Sequence, residues 1–152
     1  MKAGFNLLTW TTFADDAVLG PCTTLKQAGF DGVELPLFRG TPEHYRSLGG
    51  RIRDLGLGIT ALGILPDAGR DPMGPDARAR EAGHLRWLVD CCEALGAEVL
   101  GGPLNQPLGI FTGAGPTGEE VARMVESQRE LAAYAKGKLA LSVEPVNRFE
   151  GY

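Results

Sequence analysis

The sequence predicts an α/β chain of the (β/α)8 barrel type, present as an incomplete barrel with about five parallel strands and four helices. Three observations carry this expectation. Short apolar runs alternate with longer stretches of helical periodicity, and successive runs lie roughly 25 to 40 residues apart, the spacing of repeated βα units in a parallel sheet. The loops after the third and fourth apolar runs are long, whereas the turns from helix back to strand are tight, which is the asymmetry of a barrel with its site on one face. No Gly-x-Gly-x-x-Gly turn joins the first strand to the first helix, so a dinucleotide-binding open sheet lacks its main support.

Each element follows from local residue choice. Ala3 to Leu8 is short and mostly apolar, which suits a first buried strand, and Thr11 to Leu19 reads as a polar loop with one turn of helix. Gly20-Pro21 is a helix entry and Gly29 the stop after Cys22 to Ala28. A turn then leads into a second strand that Pro36 closes. Thr41-Pro42-Glu43 supplies a cap, a proline and an acidic residue to open a helix that runs to Leu55 and stops at Gly56. Gly49-Gly50 inside that helix costs on the order of 1 kcal/mol per glycine, so tertiary packing must hold it. Gly58 to Leu62 is a third strand, and Pro66 to Pro75 a loop long enough to cover something. From Asp76 to Leu95 the positions Ala79, Leu85, Leu88, Val89, Cys92 and Leu95 recur at helical spacing. Gly96 to Gly102 contains a stop and a fourth strand, followed by a loop from Pro103 to Pro116. Thr117 and Glu120 have capping-box spacing and open a helix that ends near Gly137. Leu139 to Val143 is the fifth strand.

The totals bound the function. A chain of 152 residues and 16.2 kDa, 43% hydrophobic, has the size of one domain spanning residues 1–152 and can bury a core. A net charge of −4 and a pI near 5.2, with Lys and Arg scattered, argue against nucleic acid as a partner. No apolar run approaches the length that crosses a bilayer, and Met1 to Trp10 is too short and too soon polar for a signal peptide, so the expected compartment is the cytoplasm, with no membrane partner. Cys22, Cys91 and Cys92 have no metal-site spacing with either histidine and read as packing residues. His44 and His84 fall on helices of the outer layer, where surface or packing roles are expected.

The chemistry concentrates near residue 144. Glu144 stands at the C-terminal end of the fifth apolar run, just before Pro145, and strand C-termini are where a βα barrel places its chemistry. Glu34, at the end of the second strand, either points into the same site or pairs with a cation or amide inside the barrel. The segment Val143-Glu144-Pro145-Val146-Asn147-Arg148-Phe149-Glu150 resembles the fifth-strand segment of the ketose 3-epimerases related to D-tagatose and D-psicose 3-epimerase, within the xylose-isomerase-like sugar isomerase and epimerase TIM barrels. The likeness extends through Gly29-Phe30-Asp31-Gly32-Val33-Glu34-Leu35, Leu55-Gly56-Leu57, Asp76 to Gly83, and Leu95 to Gly102. The glycine-rich second-strand motif marks the superfamily only; the segment from Glu144 to Glu150 is narrower.

That resemblance implies a metal-dependent isomerase acting on a small-molecule sugar by proton abstraction and return through an enediolate, with a divalent ion, manganese or cobalt, as cofactor. It assigns Glu144 to metal binding and to catalysis, and Glu150 to binding the carbonyl end of the sugar. Asn147, Arg148 and Phe149 are expected to fix the loop and its packing. Trp10, Leu62 and Pro107 fall in segments that line the sugar pocket of such enzymes. The family's remaining metal ligands come from strands six to eight, beyond the five expected here, so the chain reads as the N-terminal portion of such a barrel and an incomplete site. With two exposed sheet edges the isolated chain is also expected to self-associate or to be poorly soluble, a homo-oligomer being one such outcome. The alternatives are another xylose-isomerase-like enzyme, of the hydroxypyruvate isomerase or inosose dehydratase type, and a non-catalytic half-barrel that docks on a partner.

Overall fold

The computed structural model describes residues 1–74 and 78–151. Pro75, Asp76, Ala77 and Tyr152 therefore lie outside the described residues, and with them the end of the expected third loop and the start of the helix after it. Five strands, β1 (Gly4–Asn6), β2 (Gly32–Pro36), β3 (Gly58–Leu62), β4 (Val99–Gly102) and β5 (Ala140–Val143), form one sheet in sequence order, every neighbouring pair parallel. Between them run α1 (Leu19–Gln27), α2 (Pro42–Asp54), α3 (Arg78–Leu95) and α4 (Gly118–Ala135). The alternation is the one that the sequence predicts.

Alternate strand residues divide between two environments. Val33 and Leu35 of β2, Ile59 and Ala61 of β3 and Leu100 of β4 are buried against the helices, with Tyr45, Leu48 and Ile52 of α2 and Leu85, Leu88, Cys92 and Leu95 of α3. Burial of each such large apolar side chain contributes about 1.5–3 kcal/mol, so this layer is the main source of stability. The intervening residues face the other, concave side of the sheet. Strands β1 and β5 are its edges, and the residues of β5 are mostly exposed.

The boundaries differ from expectation at two places. Strand β1 stops at Asn6, before Leu8, because the Asn6 Oδ1 accepts the Leu8 N–H at 2.8 Å and turns the chain into a 3-10 turn over Leu7–Thr9. Helix α1 starts at Leu19, ahead of the Gly20-Pro21 entry, because a 3-10 turn at Asp16–Val18 leads straight into it. Pro21 stays within the first turn, where its missing N–H has no helical acceptor to lose. The two predicted caps form as read: Thr41 Oγ1 accepts the His44 N–H, and Thr117 with Glu120 closes a capping box.

The glycine pair in α2 resolves into two different positions. A Cβ on Gly49 would lie 2.0 Å from the Leu95 carbonyl oxygen at the end of α3, so glycine there permits the close helix contact that Arg53 reinforces by donating to the same oxygen at 2.5 Å. A Cβ on Gly50 would meet nothing within 4 Å. G49A is expected to destabilise the fold by about 1–3 kcal/mol through overpacking, and G50A to stabilise it by about 0.5–1 kcal/mol through helix propensity. Urea midpoints of the two variants, moving in opposite directions, check this.

Cys22, Cys91 and Cys92 are buried and unpaired as disulfides. Burial pushes the Cys91 and Cys92 thiols up to about 12, and raises Cys22 as well. Because the thiolate is the reactive form, alkylation by iodoacetamide at pH 8 should leave Cys91 and Cys92 unmodified in the folded protein and label all three cysteines in urea, as read by mass spectrometry.

Candidate active site

Parallel register assembles the concave side into rows. Asn6 of β1 stands opposite Glu34 of β2, and Glu34 opposite Thr60 of β3. The Asn6 amide serves both directions: its oxygen holds the turn after β1, and its Nδ2 donates to Glu34 Oε2 at 2.8 Å. Thr60 Oγ1 donates to the other carboxylate oxygen of Glu34 at 3.4 Å. The half-buried Glu34 thus spans three strands. The next row toward the strand ends contains Leu62, Gly101 and Ser142.

Beyond that row the strands open into a cleft of about 630 Å³, a volume suited to a small molecule. Asn6, Glu34, Leu62, Ser142, Glu144 and Glu150 are among its lining residues. Glu144 is placed by the sheet. Its N–H donates to the Gly102 carbonyl at 2.9 Å, continuing the β4–β5 ladder by one bond, and Pro145, which has no N–H, ends it. Gly102 has φ 122°, and a Cβ there would lie 2.1 Å from the Gly63 carbonyl oxygen. Only glycine gives β4 this exit beside β3, and that exit presents the carbonyl that fixes Glu144.

The structure therefore brings Glu144 and Glu150 to one cleft and adds Glu34 at its floor. For Glu34 both readings hold at once, since it pairs with an amide and lines the cleft. Leu62 also lines it, whereas Trp10 stacks on Phe5 at 4.4 Å between ring centroids and Pro107 is buried in the loop after β4. The histidines pack elsewhere. His44 Nε2 lies 2.8 Å from the Ala14 carbonyl oxygen with its ring against Phe13, and His84 Nε2 lies 2.8 Å from that of Ile64. Burial holds the His84 ring below the usual imidazole range. Asn6 and Ser142 were not foreseen as lining residues. The usable signal was parity, since Asn6, Glu34 and Thr60 each stand at an inward position of a short strand.

A divalent ion expects several oxygen or nitrogen ligands. Among the described residues no group of three or more His, Cys, Asp or Glu side chains is disposed to hold one, so the glutamates of this cleft do not by themselves fit such an ion. What the arrangement does offer is an acidic, concave surface with carboxylates at separate heights. Removing the Glu34 carboxylate should cut the tie across three strands: E34A is expected to lose about 1–2 kcal/mol of stability and E34Q less than half of that, measured by urea denaturation.

Comparison with known proteins adds the family context. The family model described as xylose isomerase-like TIM barrel matches residues 22–152. The chain is 29% identical over 132 residues to a Synechocystis sp. protein named probable ketose 3-epimerase, covering 84% of this chain and 45% of that one. It is 27% identical over 152 residues to an L-ribulose 3-epimerase of Mesorhizobium japonicum, covering 98% and 51% respectively. Among solved structures, D-allulose 3-epimerase from Methylomonas sp. in complex with D-allulose superposes with a TM-score of 0.86 at 26% identity, covering 99% of this chain and 53% of that one. The chain thus spans about half the length of the curated relatives it matches. No described helix is long and apolar enough to cross a membrane.

Proposed function

From the premise that this chain belongs to the xylose isomerase-like TIM barrel family, we propose that it forms the N-terminal portion of a metal-dependent ketose 3-epimerase. The observation that carries the reading is the cleft at the C-terminal ends of the strands, where Glu144 and Glu150, both drawn from the segment that resembles those enzymes, line one small-molecule-sized space. The names of the relatives, a ketose 3-epimerase and an L-ribulose 3-epimerase, point to the same reaction class.

In this reading the substrate is a ketose in its open-chain form. Glu144 removes the C3 proton: the C3–H bond breaks, its electron pair becomes the C2–C3 double bond, and the C2 carbonyl oxygen takes up the charge as an enediolate. Return of a proton to the opposite face of C3 regenerates the carbonyl and inverts that centre. Glu144 suits proton transfer because it is exposed to the cleft while its backbone is fixed by the Gly102 carbonyl. Glu150 binds the carbonyl end of the sugar. A divalent cofactor, manganese or cobalt, would stabilise the charge on the enediolate oxygens, and Glu144 would contribute one of its ligands.

The test begins with the DNA beyond the codon for Tyr152 and continues with protein expressed from the full reading frame. Exchange of the ketose C3 hydrogen for deuterium in D2O reports enediolate formation directly. E144Q is expected to lower that exchange by about 100-fold or more, the scale of a lost general base. Exchange by E144Q at the wild-type rate would remove the reading.

A further inference from the structure

The segment from Asn147 to Gly151 carries a dense set of polar contacts that the proton-transfer chemistry does not use. Asn147 makes four of them. Its Oδ1 accepts the Phe149 N–H at 2.8 Å, closing a side-chain turn; its carbonyl accepts the N–H groups of Glu150 at 2.9 Å and Gly151 at 3.1 Å. Its donor end, Nδ2, meets Glu150 Oε2 at 2.6 Å. The loop after β4 supplies a further tie, since the Gly109 N–H donates to the Glu150 carbonyl at 2.8 Å. Gly151 then lies flush against the 5% exposed Gln106, for a Cβ there would come within 1.8 Å of Gln106 Nε2.

Glu150 is therefore fixed at its amide, its carbonyl and its carboxylate, although its side chain is exposed. A glutamate left loose at a cleft mouth would sample many rotamers and lose that freedom when a ligand bound. We propose that Asn147 is a positioning residue, whose acceptor end holds the turn while its donor end orients the Glu150 carboxylate at the cleft before the substrate arrives. The inference rests on the reading of Glu150 as the residue that binds the carbonyl end of the sugar.

The two ends of the Asn147 amide separate by substitution. N147D keeps an acceptor for the Phe149 N–H and removes the donor to Glu150; N147A removes both. With protein from the full reading frame and D-allulose as the probe, calorimetry reads affinity and hydrogen exchange at the Gly109 amide reads the loop. N147D is expected to raise the dissociation constant about tenfold, the scale of one hydrogen bond to a charged group, with Gly109 protection unchanged. N147A should weaken binding to a similar extent and speed Gly109 exchange. E150Q, which removes the charge itself, should weaken binding too. If E150Q is weakened while N147D binds as wild type does, the positioning role is overturned. If E150Q also binds as wild type does, or if the wild type takes up no D-allulose, the reading of Glu150 beneath it falls.

Discussion

Strict alternation of side chains along five parallel strands is the constraint on which the rest of this structure depends. Because neighbouring residues point to opposite faces, one register decides at once which residues are buried under the helices and which line the concave side. Val33, Leu35, Ile59, Ala61 and Leu100 fill the helix-facing layer, and the residues between them are small or polar: Gly32, Glu34, Gly58, Thr60, Gly101. A slip of one residue would exchange the two sets and place Glu34 under α2 and α3, with no partner for its charge. The apolar layer therefore selects the register, and the register assembles the site.

Within that register the polar groups lie in rows at different heights. Asn6, Glu34 and Thr60 form a lower row that ties three strands through a single carboxylate, and Glu144 sits above it on the last bond of the β4–β5 ladder. Glycine is needed where these strands leave the sheet, since Gly102 must pass beside Gly63 before its carbonyl meets Glu144. Rigid backbone beneath an exposed carboxylate is what the proposed proton transfer requires, because the acid or base must hold its position while its charge changes.

Much of this was readable from sequence because it is written locally. The order of elements follows from periodicity, the starts of α2 and α4 from the Thr41 and Thr117 caps, and the strand-end position of Glu144 from an apolar run stopped by proline. What escaped is information carried between distant residues. Asn6 and Glu34 are 28 positions apart, and their bond exists only because β1 and β2 pair in one register. Gly49 shows the same limit: sequence signals an unfavourable helix residue, but the Leu95 carbonyl that makes it necessary lies at the end of the next helix. The early start of α1 has another cause, for proline marks the first turn of a helix without fixing which residue of that turn it occupies.

The three glutamates of the cleft differ in how tightly each is held, and the proposed roles follow that order. Glu34 has both carboxylate oxygens engaged by neighbouring strands and serves the architecture while lining the floor. Glu150 has one oxygen engaged by Asn147 and its backbone clamped to the loop after β4, which suits a group that orients a ligand. Glu144 has a fixed main chain and, among the described residues, no donor at its carboxylate. A carboxylate already engaged by donors is held in one orientation, whereas one without them is open to meet a ligand in the cleft. One sheet thus holds three residues of one type to different degrees by varying the number of hydrogen bonds each carboxylate accepts, and the proposed division among architecture, orientation and proton transfer follows that gradation.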